Sequence, residues 1–577
     1  TSFISFDGGS MVDSYDLGYI ACLKVYTVAD DCIIVDNEDI TVDYRSDSYF
    51  TVKIVTADGH AVGAGAAVNF TINEKTTTVL TDEDGIAKIK ISETPDTYAM
   101  TTSINGKDYT NTVTVIQVPT PAMTFKELEE AIKNSTKDYL DLYDDYEFNN
   151  ETDSKIGILI DRHNFVLNGN GHTIDGKNLS RIFGIANNVT LNNLILINGN
   201  ADNGGAVYTQ GTVTLNNVTF INNYATQGGA VALLFDDVLN INNSKFIDNR
   251  GNVGSSIYVE NGKLNLYNTE FSSGVPTKRS QIVLKEAEGY VDNATFANIV
   301  ANYTPAIYME KTKALTILNS KFINLTANIS SGAIGVKTGG VVYIRNCEFI
   351  NVSSAKNAGA ILVDILGMDS SRPGNVTILD TVFRNTSSGF GGAYIQFGGK
   401  LIINNTEFTN GHATYNGGSV YISYVDYAEI NNCNFTSNGV DIIEGYPTYG
   451  GAMVIDMSTI SINNSRFINN TASAGSAIYG FDASYDIRNS LFENNTNPIY
   501  TLFDKKSSLQ NNVYVNDNNV STNNTFYATF QVGQGLQLTL INNTINVTAL
   551  PARYDSRDWG WVSPVRNQGS MGACWTF

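Results

Sequence analysis

Cysteine is scarce. Five residues in a chain of 577 cannot staple a fold, so a disulfide scaffold is excluded. Cys22 and Cys32 are near enough in sequence to pair, whereas Cys347 and Cys433 stand alone and read as small buried hydrophobes. Positive charge is also short: 36 Lys and Arg face 57 Asp and Glu, for a formal net charge of −21. That balance argues against electrostatic binding of nucleic acid or of an anionic membrane. No apolar run approaches the roughly 18 residues of a membrane span. The histidines are His60, His163, His172 and His412, and neither a metal nor a cofactor is expected. The chain opens at Thr1 without Met or a leader and closes inside a motif. A piece of a longer protein is therefore expected, and the missing leader says nothing about export.

What is present in excess is asparagine at fixed spacing. The centre of the chain repeats with a period near 25 residues, within the range of solenoids. The anchor is aromatic: Phe220, Phe246, Phe271, Phe296, Phe322, Phe349, Phe383, Phe408, Phe435, Phe467, Phe492 and Tyr514. Three residues before each anchor stands Asn, from Asn217 to Asn511, except at Asp380. Two residues after come Asn222, Asp248, Ser273, Asn298, Asn324 and their successors. Asn is a poor helix former that tolerates turns, so two such columns speak against helical repeats. A right-handed parallel β-helix of the pectate-lyase kind accommodates both. Identical residues then stack at the strand spacing of about 4.8 Å, with Asn amides bonding along their columns inside the coil beside the Phe stack.

Val213-Thr-Leu-Asn216 and Leu401-Ile-Ile403 supply strands, and Gly204-Gly-Ala206, Gly228-Gly-Ala230, Gly391-Gly-Ala393 and Gly450-Gly-Ala452 supply tight corners. About twelve coils are expected, with loops near Met368–Pro373 and Glu444–Tyr449. The open end needs a cap. Thr124 to Lys133, with Phe125, Leu128 and Ile132 at helical spacing, reads as that cap, and Asn168 to Gly176 as the first full turn.

The expected organisation is all-β. Residues 1–32 are the remnant of a preceding unit. Residues 33–118 form a β-sandwich, 119–548 the β-helix with its capping helix, and 549–577 the start of a further domain. In the sandwich, Phe50–Val55, Val68–Ile72 and Ile86–Ile91 alternate apolar and polar, and turns fall at Asp58-Gly59, Asp84-Gly85 and Asn105-Gly106. Thr81-Asp-Glu-Asp-Gly-Ile-Ala87 resembles the strand turn of bacterial immunoglobulin-like surface domains. Pro119 and Pro121 mark a short linker. The cap and first turn together resemble the opening of β-helix domains in adhesin-like surface proteins of methanogenic archaea, which implies an extracellular or cell-surface setting. Asn-x-Ser/Thr sequons such as Asn217-Val-Thr219, Asn375-Val-Thr377 and Asn542-Asn-Thr544 agree with export, though most arise inside the repeat.

Residues 550–577 hold a different kind of motif. Pro564-Val-Arg-Asn-Gln-Gly569 followed by Met571-Gly-Ala-Cys574-Trp575 resembles the mature N-terminus of papain-family cysteine peptidases. The resemblance implies an α+β domain in which Cys574 is the nucleophile at the first turn of a helix and Gln568 donates to the oxyanion. Met571 stands where that family carries a disulfide cysteine. The family's His and Asn follow the Cys by roughly 130–150 residues, beyond Phe577, so this stretch alone is expected to be inactive.

Three functions follow. The first is a surface-displayed cysteine endopeptidase acting on protein or peptide, carried on a β-helix stalk. The second is a non-enzymatic adhesin whose β-helix binds a glycan or protein. The third is a polysaccharide lyase or hydrolase built on the β-helix, for which the fold alone is no argument. The third needs carboxylates gathered on one face. One row offers them, at Glu260, Glu310, Asp364 and Asp456, interrupted by Lys337, Phe397 and Ser423; a solvated sheet edge is its plainer explanation. Tyr421, Tyr424 and Tyr427 are expected to be exposed and able to stack on sugars.

Overall fold

The computed structural model describes residues 32–44, 46–93, 95–116, 122–337, 339–364, 374–495, 498–503, 505–516, 537–542 and 544–547. They belong to two compact units that divide at Ala122. Residues 1–31, Pro119, Pro121, the loop around Met368–Pro373, and residues 549–577 with Gln568 and Cys574 lie outside the described residues.

In the first unit, Ile33–Val35, Tyr49–Val55 and Ile86–Lys90 form one antiparallel sheet. Ile40–Asp43, Lys107–Ile116, Asp96–Ile104, Ala67–Ile72 and Lys75–Leu80 form another, whose first pair is parallel. Alternation buries Phe50, Val52 and Ile54 from one sheet against Val68, Phe70, Met100 and Val113 from the other. Phe50 meets Phe70 edge to face at 6.1 Å. Asn105 and Gly106 both take positive φ, as a two-residue hairpin requires. So do Asn73 and Glu74, which close a hairpin that no glycine announces.

The second unit is a parallel β-solenoid of about 15 turns with almost no helix. One sheet has sixteen strands, from Tyr139–Asp141 to Gln537–Ile541, and another has fourteen, from Ile158–Ile160 to Ile499–Leu502. A third carries the aromatic anchors. The turn count exceeds the expected twelve because early turns hold Ile174 and Leu196 in the anchor position, and strands at Tyr139–Asp141 precede the turn at Asn168.

The anchors form an unbroken stack from Phe220 to Tyr514. Ring centroids are 4.5–5.1 Å apart and planes lie within 14° of parallel. Each buried ring contributes on the order of 1.5–3 kcal/mol. At the corner preceding one turn of the fourteen-stranded sheet, Gly204 has φ +57, and a Cβ there would lie 2.0 Å from the Val207 carbonyl oxygen. Only glycine fits.

A helix, α1 (Phe125–Asn134), covers the N-terminal end, with Phe125, Leu128 and Ile132 buried. Thr124 and Glu127 form a capping box, the Asp153 carboxylate accepts from the Phe125 and Lys126 N–H groups, and the Arg162 guanidinium donates to the Ile132, Ser135 and Lys137 carbonyls. Both helix ends are thus satisfied where the solenoid would otherwise present an open edge.

The Asn columns are not inside. Asn217, Asn243, Asn319, Asn346 and their equivalents take left-handed φ near 50° at the corners, and Asn319 and Asn346 are exposed. The bonds along the columns are real: Asn346 Nδ2 donates to Asn319 Oδ1 at 2.7 Å, and Asn351 Nδ2 to Asn324 Oδ1 at 3.0 Å. The corner requires positive φ, which Asn tolerates, and that conformation places the amide at the surface.

Candidate functional site

The interior has its own amide column, three residues after the anchor. Asn223, Asn249, Asn438, Asn470 and Asn495 are buried. Asn470 Nδ2 donates to the Phe435 carbonyl and to Asn495 Oδ1, while its Oδ1 accepts from the Asn438 N–H and Nδ2. Two residues before the anchor runs a column of hydroxyls, including Ser244, Ser320, Thr381, Thr406, Ser465 and Ser490. Cys347 and Cys433 occupy hydroxyl positions in that column, and each Sγ–H donates to the carbonyl two residues earlier, of Arg345 and Asn431. Burial pushes both thiols up to about 12, far from nucleophilic use. The interior is therefore structural.

Chemistry has to lie on the outer faces. The acidic row runs along the C-terminal ends of strands in the fourteen-stranded sheet, where Glu260, Lys285, Glu310, Lys337 and Asp364 are consecutive register partners. Lys285, which the sequence reading passed over, stands between the first two carboxylates. Its Nζ is 2.6 Å from Glu260 Oε1, and the Tyr258 hydroxyl donates to Glu260 Oε2 at 3.0 Å. Lys337 lies 3.6 Å from Glu310, a looser pair. Tyr258 is buried; burial first, and then the bond to Glu260, raise its phenol well above the ordinary value and keep it a donor. The hydrogen bond to Glu260 likewise raises the Lys285 ammonium.

The Tyr-x-Glu pattern occurs twice on this face, and the positions two turns further on are Leu362 and Asp364. Tyr258-Val-Glu260 and Tyr308-Met-Glu310 present the same pair two turns apart, with Val283 and Lys285 between them. Two strand spacings put the carboxylates about 9.6 Å apart along the sheet. That recurrence was readable as Tyr-x-Glu in two repeats separated by one other.

Further along the same face, Phe397, Ser423 and Asp456 continue the register, and Ser423 donates to Asp456 Oδ2 at 2.7 Å. Tyr421 is half-buried rather than exposed, because it packs with Leu362 and Ile395; burial and the adjoining Asp456 push its phenol up to about 12. Tyr424 and Tyr427 are exposed. Tyr449, Tyr479 and Tyr500 stack in sequence.

The histidines are dispersed. His60, His172 and His412 each face one carboxylate, of Asp58, Asp145 and Asp441. Among the described residues no group of three or more His, Cys, Asp or Glu could hold a metal ion. None of their helices is long and apolar enough to cross a membrane.

A family model described as "Right handed beta helix region" matches residues 373–545 and gives the solenoid its hand. Two curated relatives are similar over short stretches. One is metabotropic glutamate receptor-like protein R of Dictyostelium discoideum, 34% identical over 122 residues, which are 21% of this chain and 7% of that protein. The other is ananain of Ananas comosus, 32% identical over 97 residues, 16% of this chain and 28% of that protein. The chain thus spans only 7% of the one relative and 28% of the other. Among solved structures, the catalytic domain of a GH87 alpha-1,3-glucanase in complex with nigerose aligns over 90% of this chain and 92% of its own, at 12% identity and a TM-score of 0.26. A likeness that slight carries no argument about activity.

Proposed function

We propose that the β-helix acts on a polysaccharide, with Glu260 and Glu310 as the carboxylate pair. The observation that carries this reading is their placement: one column, one face, two turns apart, with Glu260 held by Tyr258 and Lys285. A repeat of about 9.6 Å suits two sugar rings of an extended chain lying along the solenoid. The spacing is also close to the upper limit of the roughly 6.5–9.5 Å found for inverting glycoside hydrolysis. In such a reaction one carboxylic acid protonates the glycosidic oxygen, and the other carboxylate takes a proton from the water that attacks the opposite face of the ring. Glu260, fixed by two donors, suits the base, and Glu310, in its looser pair, the acid. An extracellular or surface setting, with the first unit as an immunoglobulin-like spacer, belongs to the same proposal.

The test is reducing-end release from a panel of neutral and acidic polysaccharides. Glu260→Gln and Glu310→Gln should each lower release by about 10²–10⁴, the range for a positioned acid or base. Release at the parent rate from both variants defeats the reading. Polysaccharide retention without any release leaves the adhesin alternative.

A second reading has its own support. Gly572-Ala-Cys574-Trp575 and the similarity to ananain favour a papain-like cysteine peptidase joined behind the β-helix, with Cys574 as nucleophile and Gln568 at the oxyanion. An epoxide that traps papain-like thiols should label the full-length protein at Cys574. Peptide cleavage that survives Cys574→Ala rules this reading out.

A further inference from the structure

We infer that the corner at Asp380 is a binding site for one neutral sugar unit, separate from the Glu260–Glu310 face. The inference takes its class of ligand from the polysaccharide reading; its geometry is independent. Along the corner the amides donate one turn back, either to the column residue, as Asn346 and Asn405 do, or to the residue before it, as Asn319, Asn432 and Asn489 do. Asn319 Nδ2 reaches Asp292 Oδ1, Asn346 Nδ2 reaches Asn319 Oδ1, and Asn405 Nδ2 reaches Asp380 Oδ1, each at 2.7 Å. At position 380 the residue is Asp, which has no N–H to give. The donor that Asn346 Oδ1 would receive from an Asn there is therefore missing. Asp380 instead draws in Arg345 from the preceding turn, Nε to Oδ2 at 3.0 Å.

A surface cavity of about 490 Å³ opens at this break, lined by Leu318, Asn319, Tyr343, Arg345, Asn346 and Asp380. Its size falls within the range of small-molecule sites. Leu318 and the Tyr343 ring give an apolar wall for the C–H face of a sugar. The Arg345 guanidinium offers donors, and Asn346 Oδ1 and Asp380 offer acceptors. A pair of neighbouring hydroxyls, each both donor and acceptor, answers that mixture. Arg345 and Asp380 neutralise one another, so the cavity favours an uncharged ligand over phosphate or a carboxylate.

The experiment is titration calorimetry of the whole chain with glucose, galactose, mannose and N-acetylglucosamine, and with inorganic phosphate, on the parent and three variants. Asp380→Asn restores the amide ladder, so the fold should hold, with a melting midpoint at or above the parent's. Sugar affinity should nevertheless fall by roughly ten- to a hundredfold, the effect of losing hydrogen bonds to a charged group. Tyr343→Ala should also weaken binding, whereas Lys90→Ala, on a strand of the first unit, should leave it unchanged. Three results overturn the proposal: no sugar of the panel binds, phosphate binds more tightly than any sugar, or Asp380→Asn binds like the parent. Failure of cleavage at Glu260 and Glu310 would not touch this binding, and failure here would not touch cleavage.

Discussion

The corners and the interior of the solenoid use the same side chain for different ends. At the corners, Asn is present because the backbone needs positive φ, and its amide bonds lie where water can replace them. In the interior, Asn470 and its equivalents are present because a buried bend leaves backbone groups that only a side chain with both donor and acceptor can satisfy. Spacing alone cannot separate the two, so the physical context of each column has to decide what it contributes.

The sharpest way to break this comparison is Asn470→Leu. It strips partners from the buried Asn438 N–H and Phe435 carbonyl, at roughly 1–3 kcal/mol each, while the residue-470 N–H still donates to Asn495 Oδ1. Thermal unfolding should shift down by many degrees, or the chain should fail to fold. Next comes Asn319→Leu at a corner. Its cost should be about 1–2 kcal/mol, set by the left-handed backbone rather than by lost amide bonds. Asn319→Gly relieves that backbone and should lie within about 0.5 kcal/mol of the parent. If Gly costs as much as Leu, the amide bonds and not φ dominate at the corners.

The smallest effect is expected at the hydroxyl column. Cys433→Ser puts a better donor against the Asn431 carbonyl and should change stability by less than about 1 kcal/mol. With their thiols held up near 12, Cys347 and Cys433 should resist iodoacetamide at pH 8 in the folded protein and react once it is unfolded by guanidinium. Prompt alkylation of the folded chain would mean the turns open more readily than their packing suggests.

Much of the solenoid was legible because each turn repeats the same solution. The aromatic anchors, the glycine corners and the capping helix from Thr124 fall at positions that local chemistry specifies, whereas the Asn columns, expected inside the coil, lie at αL corners on its surface. The interior column was missed because Asn223 and Asn470 stand next to the conspicuous Asn222 and Asn469, and nothing local tells an inward amide from an outward one. The candidate site was half legible. Glu260 and Glu310 could be placed in a row, but Lys285 and Tyr258 acquire meaning only when the register sets them against Glu260. Tyr421 was misjudged because outward positions on that sheet are partly covered by neighbouring turns. Asp380 was visible as the sole non-amide in its column, yet only Arg345 and the cavity beside it give that exception a consequence.

The polysaccharide reading rests on two carboxylates two turns apart, and that spacing predicts stereochemistry. Proton NMR of freshly released sugar should detect product with inverted anomeric configuration, at a rate that collapses in both Glu260→Gln and Glu310→Gln. Product of retained configuration would require carboxylates only about 5–5.5 Å apart and would contradict the assignment of this pair.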